Sequence, residues 1–254
     1  MDKFQHAVTI RPSRIAGILA GTALSFVALS LTGQYLRLFP NSYQISDPTA
    51  EFFLDLFIQK FDVNGEVNIP TYFNTLILVI LAGLAFVIAS AKRSQKDRYR
   101  NEWLLMAMVF LFMSIDEAAV IHEKFNVLLK NMPNVDGLFT YKWVIGGIFV
   151  VLVLALMFLR FFLQLDNRNK TFFFLSSAIY LTGALGSEMF SGRYQAIHGT
   201  KNFTYSAMTT FEESFEWFGI TLMIFTLLKY IENYYSEISF RSTGALPKPV
   251  KPEK

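Results

Sequence analysis

Three short stretches of this sequence concentrate the side chains able to do chemistry. They are Ser114-Ile115-Asp116-Glu117-Ala118-Ala119-Val120-Ile121-His122-Glu123, then Gly186-Ser187-Glu188, then Phe211-Glu212-Glu213-Ser214-Phe215-Glu216. Helical spacing of about 100° per residue puts Glu212, Glu213 and Glu216 on one arc, with Gly219 and Met223 below them. Read as one helix, the first stretch places Asp116 and Glu123 nearly eclipsed, seven residues apart. Ala119 lies between them, His122 and Asn126 flank them, and Glu117 points elsewhere, toward Ser114.

Carboxylates with a single imidazole suit hard cations or proton transfer. The expected metal ligands are Asp116, Glu123, Glu188, Glu216 and His122. Glu212 or Glu213 is the expected general base, with His122 as a ligand or proton shuttle. The donor set favours Mg²⁺, Mn²⁺, Ca²⁺ or iron over Zn²⁺. A di-iron pair of the usual bundle type needs Glu-x-x-His, and the sequence has none. It has no cysteine, so disulfides, thiolate sites and a cysteine nucleophile are excluded. Two other arrangements suit the same acids: protonated carboxyls, or carboxylates solvated at an interface.

The elements that must hold these acids are membrane helices. Of 254 residues 53% are hydrophobic and 17% charged, against roughly 25% charged in soluble domains. Mean hydropathy is +0.36. Six segments reach the roughly 20 apolar residues a span requires, at about 15–39, 72–91, 103–123, 143–165, 172–190 and 211–230. The expected fold is all-α: a polytopic six-helix transmembrane bundle within residues 1–235. Sixteen of the 23 Lys and Arg fall on one side of it, which places the N- and C-termini in the cytoplasm. All three acidic stretches then lie at the outer ends of the third, fifth and sixth helices. Burying so many anions with only His122, Lys124 and Arg193 nearby costs many kcal/mol unless protons, water or a cation intervene.

The first segment is read as a retained helix, since no small-residue cleavage site precedes Gln34. Its Gly17 and Gly21 form a GxxxG pair. Residues 49–61 alternate as an amphipathic helix, expected in the outer interface, with Phe53, Phe57 and Phe61 on its apolar arc. Around Asn64-Gly65 a short hairpin is expected. Residues 236–254, with Pro247, Pro249 and Pro252, read as a disordered cytoplasmic tail. Asn202-Phe203-Thr204 is a glycosylation sequon on the outer side.

The histidine sets of membrane zinc hydrolases are absent, as is the Pro-Gly-x-Ser-Arg loop of undecaprenyl-pyrophosphate phosphatases. So are a rhomboid Gly-x-Ser, an aspartate-rich prenyltransferase motif and a phosphate-binding glycine loop. The leading expectation is a metal-dependent membrane enzyme acting on a lipid or lipid-linked substrate. The alternatives are a cation or proton transporter and a non-catalytic sensor or assembly factor. The expected location is the plasma or inner membrane, as a multi-pass protein with membrane lipid as partner. Bases dispersed over membrane-proximal loops argue against a nucleic-acid partner. The oligomeric state is left open.

Overall fold

The structure, a computed structural model, describes residues 10–40, 45, 47–129 and 137–235. Among these it is helical throughout, with no strand. The long apolar segments become α1 (Pro12–Leu38), α3 (Ile69–Ser94), α6 (Trp143–Gln164) and α9 (Phe203–Tyr234). These four helices are long and apolar enough to cross a membrane. A fifth span arises if α4 (Arg100–Ala119) and α5 (Ile121–Leu128) count together, although 63° separates their axes.

The stretch expected as a fifth helix is part of a helical run over residues 167–198. It consists of α7 (Asn167–Leu181), a π-helical turn (Thr182–Ser187) and α8 (Glu188–His198). Alone, the 15 residues of α7 are too short to span. The amphipathic segment is helix α2 (Pro48–Phe61), opened by Asp47, whose side chain accepts from the Thr49 N–H at 3.1 Å.

The helix α9 is the central post, packed against α1, α3, α7 and the π turn, while α3 and α4 lie along each other. Its C-terminal half buries Trp217, Ile220, Ile224 and Leu227, and α3 offers Ile77, Leu78, Leu81 and Ile88. Trp103 of α4 packs at the C-terminal end of α9 against Phe161, Phe173 and Tyr230. By contrast α1 and α6 bury few residues and present apolar side chains outward.

Two expectations are corrected. The segment after α2 is not a hairpin: Asn68 organises it as a compact turn. Its amide donates to the carbonyls of Asp62 (2.6 Å) and Gly65 (2.5 Å), and its oxygen accepts from the Thr71 N–H at 2.9 Å, capping α3. Those bonds satisfy locally the groups a ladder needs. The third expected helix is likewise not continuous to Glu123. It stops at Ala119, so Asp116 and Glu123 do not share one helical face. The expected tail, 236–254, lies outside the described residues.

Candidate functional site

The break between α4 and α5 builds the first part of the site. Val120 has φ +54° and ψ +44°, the left-handed region that a β-branched residue rarely enters. Asp116 supports it by substituting for the lost helix bonds. One carboxylate oxygen accepts the His122 backbone N–H at 2.8 Å, and the other meets His122 Nδ1 at 2.8 Å. With Nδ1 held by a carboxylate, Nε2 is the ring atom left for proton transfer. The indole of Trp143 packs on the imidazole, centroids 4.8 Å apart. Its Nε1–H donates to Glu188 at 2.7 Å, and its backbone N–H donates to Asn126 at 3.1 Å. Trp143 thus ties α5, α6 and α8 together.

The second part lies between the π turn and α9. A methyl group on Gly183 would stand 2.6 Å from the Glu212 carbonyl oxygen and 3.0 Å from the Glu216 nitrogen. One on Gly219 would stand 2.6 Å from the Tyr180 nitrogen. Two glycines therefore let the helices touch backbone to backbone, the usual device for close packing in membranes. This contact sets Glu212 beside α8, where it accepts from the Ser191 hydroxyl at 3.0 Å. Glu188 and Glu212 are near enough for their charges to act on each other. One turn along α9, Glu216 stands beside Tyr180, and the charge of Glu117 acts on Glu213 and Glu216. Each of these acids is half-buried.

The third part was not expected. Ser114 donates to the Thr75 carbonyl at 3.0 Å, pinning α4 to α3. Glu117, one turn along the same face, is brought beside Asn74. The sequence reading had turned Glu117 away from the site; the face bearing Ser114 is in fact the inward one. Asn74 is 1% exposed and its amide is set toward the Glu117 carboxyl, although no hydrogen bond of ordinary geometry joins them. Glu66, before α3, joins the rim. Partial burial raises its carboxyl pKa and the charge of Glu123 adds to this, against the pull of His122 and Lys124.

Above the acids, the Tyr141 hydroxyl donates to Gln195 and lies 3.5 Å from the Tyr205 hydroxyl, linking the segment before α6 with α8 and α9. Burial first, then Tyr205, Glu188 and Glu212, hold the Tyr141 phenol well above its usual pKa.

Six of the seven expected residues, Asp116, His122, Glu188, Glu212, Glu213 and Glu216, belong to this network of bonds and neighbouring charges. Glu123 is exposed and acts on the others through its charge. Among the described residues, no three His, Asp or Glu side chains stand close enough together to hold a metal ion. The sequence reading missed Trp143, Asn74, Glu117 and Glu66. A tryptophan opening a span, and a serine three residues before a glutamate, were the available signals.

No curated protein and no solved structure matches the chain. Residues 18–230 match DUF8692, a domain of unknown function, so the chain belongs to that family.

Proposed function

We propose that the chain is a multi-pass membrane enzyme whose carboxylate-rich site acts on a lipid or lipid-linked substrate with help from a divalent cation. The proposed topology has six spans, the run over 167–198 being one, with both termini cytoplasmic and α2 in the outer interface. The site then lies at the outer-leaflet end, at headgroup depth, where a lipid's polar group enters from the side.

The observation that carries this reading is the Asp116–His122 pair seated on Trp143, which itself holds Glu188. A carboxylate that orients an imidazole through Nδ1 prepares Nε2 to take and return a proton. Glu212, steadied by Ser191, supplies a second proton acceptor across from it, and Glu213 stands next to it on α9. A bound Mg²⁺, Mn²⁺, Ca²⁺ or Fe²⁺ would polarise the substrate oxygen. Asp116, with both oxygens engaged by His122, serves better as an orienting group than as a ligand.

The test uses full-length protein in vesicles of extracted membrane lipid, with and without Mn²⁺ or Mg²⁺, and mass spectrometry of the lipids. A metal-dependent product that His122→Ala abolishes is the expected result. Cation uptake into sealed vesicles with no change in any lipid overturns it in favour of transport. Neither product nor uptake favours a sensor or assembly role.

A further inference from the structure

We propose that a cavity at the other end of the bundle binds the phosphate of an anionic lipid headgroup, with Arg98 and Arg160 as its ligands. The cavity is separate from the carboxylate network. Tyr99 caps the start of α4 and Asp116 stands near its end, about 25 Å away along the axis. Arg160 likewise lies in the last turns of α6, the helix that Trp143 opens. Binding here does not depend on any chemistry at the acids.

The cavity has a volume of about 360 Å³ and is lined by Arg98, Tyr99, Arg160, Leu163 and Gln164. Small-molecule sites span roughly 300–1,000 Å³. One ring contact builds it. Tyr99 meets Phe161 edge to face, centroids 5.9 Å apart, and Phe161 is anchored in turn on the buried Trp103 at 5.1 Å. Arg98 and Arg160 each immediately precede one ring of that pair, so the contact brings both guanidiniums to one cavity. The Arg98 guanidinium also lies over the Tyr99 ring, 5.6 Å from its centroid, which restrains it.

Two guanidiniums on one cavity repel each other unless an anion lies between them. No acid lines the cavity. Among the described residues neither arginine forms an ion pair, and Asp97, next to Arg98 in sequence, is taken by Lys92 at 2.9 Å. Residues 92–102 carry five bases against two acids, so the surroundings are electropositive. A guanidinium presents a planar fork of N–H donors matched to phosphate oxygens, and two forks can grip one phosphate from two sides. Tyr99 and Gln164 add a hydroxyl and an amide to the wall. The same chemistry would hold free phosphate, but the apolar side of the cavity favours a lipid. Leu163 lines it and continues with Leu159 and Leu156 as an exposed strip on one face of α6. Acyl chains lie along that strip while the headgroup sits at the helix ends, the level at which basic pockets between membrane helices hold anionic headgroups.

The experiment strips full-length protein of lipid in a neutral detergent and titrates it with phosphatidic acid, phosphatidylglycerol or phosphatidylcholine of one chain length. Native mass spectrometry counts the bound lipid. The expected result is one tightly held anionic lipid per chain, with phosphatidylcholine at least tenfold weaker. Arg98→Gln and Arg160→Gln should each weaken phosphatidic acid binding at least tenfold. Arg168→Gln, exposed at the same end of the bundle but outside the cavity, should stay within twofold. Both cavity arginines are exposed, so the lipid-free thermal midpoints of their variants should match wild type. Equal retention of phosphatidylcholine overturns the site, as does unchanged affinity in folded Arg98→Gln and Arg160→Gln. Inorganic phosphate bound with the same dependence on the two arginines, and no lipid retained, overturns the lipid as occupant.

Discussion

Asp116 grips His122 at two points, the backbone N–H and ring Nδ1, each at 2.8 Å. One side chain thereby caps α5 and sets the state of its imidazole. The two roles separate by substitution. Asp116→Asn keeps an oxygen for the backbone N–H, so stability should fall by less than about 1 kcal/mol. Its amide nitrogen then faces Nδ1, which must accept, moving the ring proton to Nε2. Nitrogen NMR of the imidazole should show the Nδ1 proton lost, together with loss of activity. Asp116→Ala loses both contacts and should cost about 1–2 kcal/mol. An Nδ1 proton that persists in Asp116→Asn would remove the orienting role.

Gly183 should tolerate no side chain. An alanine methyl there meets the Glu212 carbonyl oxygen at 2.6 Å, and that is backbone, which cannot swing aside. Gly183→Ala should lower stability by about 1–3 kcal/mol. Gly146 of α6 has nothing within 4 Å of an added methyl. Gly146→Ala should leave the thermal midpoint unchanged or raise it, because alanine is the better helix former. Tryptophan fluorescence during heating in detergent distinguishes the two.

The turn between α3 and α4 predicts an acid-sensitive contact. Asp97 pairs with Lys92 at 2.9 Å and accepts the Tyr99 N–H at 2.8 Å. Desolvation raises its pKa, but the Lys92 and Tyr99 hydrogen bonds and the Lys92 charge outweigh that, and the pKa ends below the ordinary 3.8. A depressed carboxyl contributes stability that is fully present above the unfolded value and lost as pH falls through the folded one. Below about pH 4 the wild-type midpoint should therefore fall more steeply than that of Asp97→Asn. Parallel curves would show that the pair contributes nothing.

The proposed orientation is checked with a reporter active only in the cytoplasm. Fused after Gln195 it should be silent, and fused after Lys254 it should be fully active. The reverse would move the carboxylate cluster to the cytoplasmic face and remove the headgroup-depth argument.

Apolar run length made most of the helices legible, because a span must satisfy its backbone internally and stay apolar outside. The same rule hid the helix ends. The sequence placed the start of the last span near Phe211, yet α9 begins at Phe203. Ser206, Thr209 and Thr210 are buried there, each bonding back to a carbonyl one turn earlier. Asn202, the first residue of the sequon, caps that helix by accepting the Tyr205 N–H. The acid stretches were visible from composition alone, but their facing was not. Nothing in Ala118-Ala119-Val120-Ile121 announces a left-handed valine, because the cause is the remote-acting carboxylate of Asp116. Once the helix breaks, a register argument across it fails, and Glu117 replaces Glu123 as the inward acid.

The π turn at Thr182–Ser187 has a consequence for how this helix tolerates change in length. Bonding from i to i+5 takes up more residues per turn than the α pattern, so everything beyond the turn is out of phase with α7. Removing one residue there to restore a plain helix would swing Glu188 and Ser191 around the axis by about 100°. Trp143 would lose its acceptor and Glu212 its hydroxyl donor, although no contacting residue had been altered. The turn acts as a phase adjuster: it lets α7 follow the bundle while α8 is aimed independently.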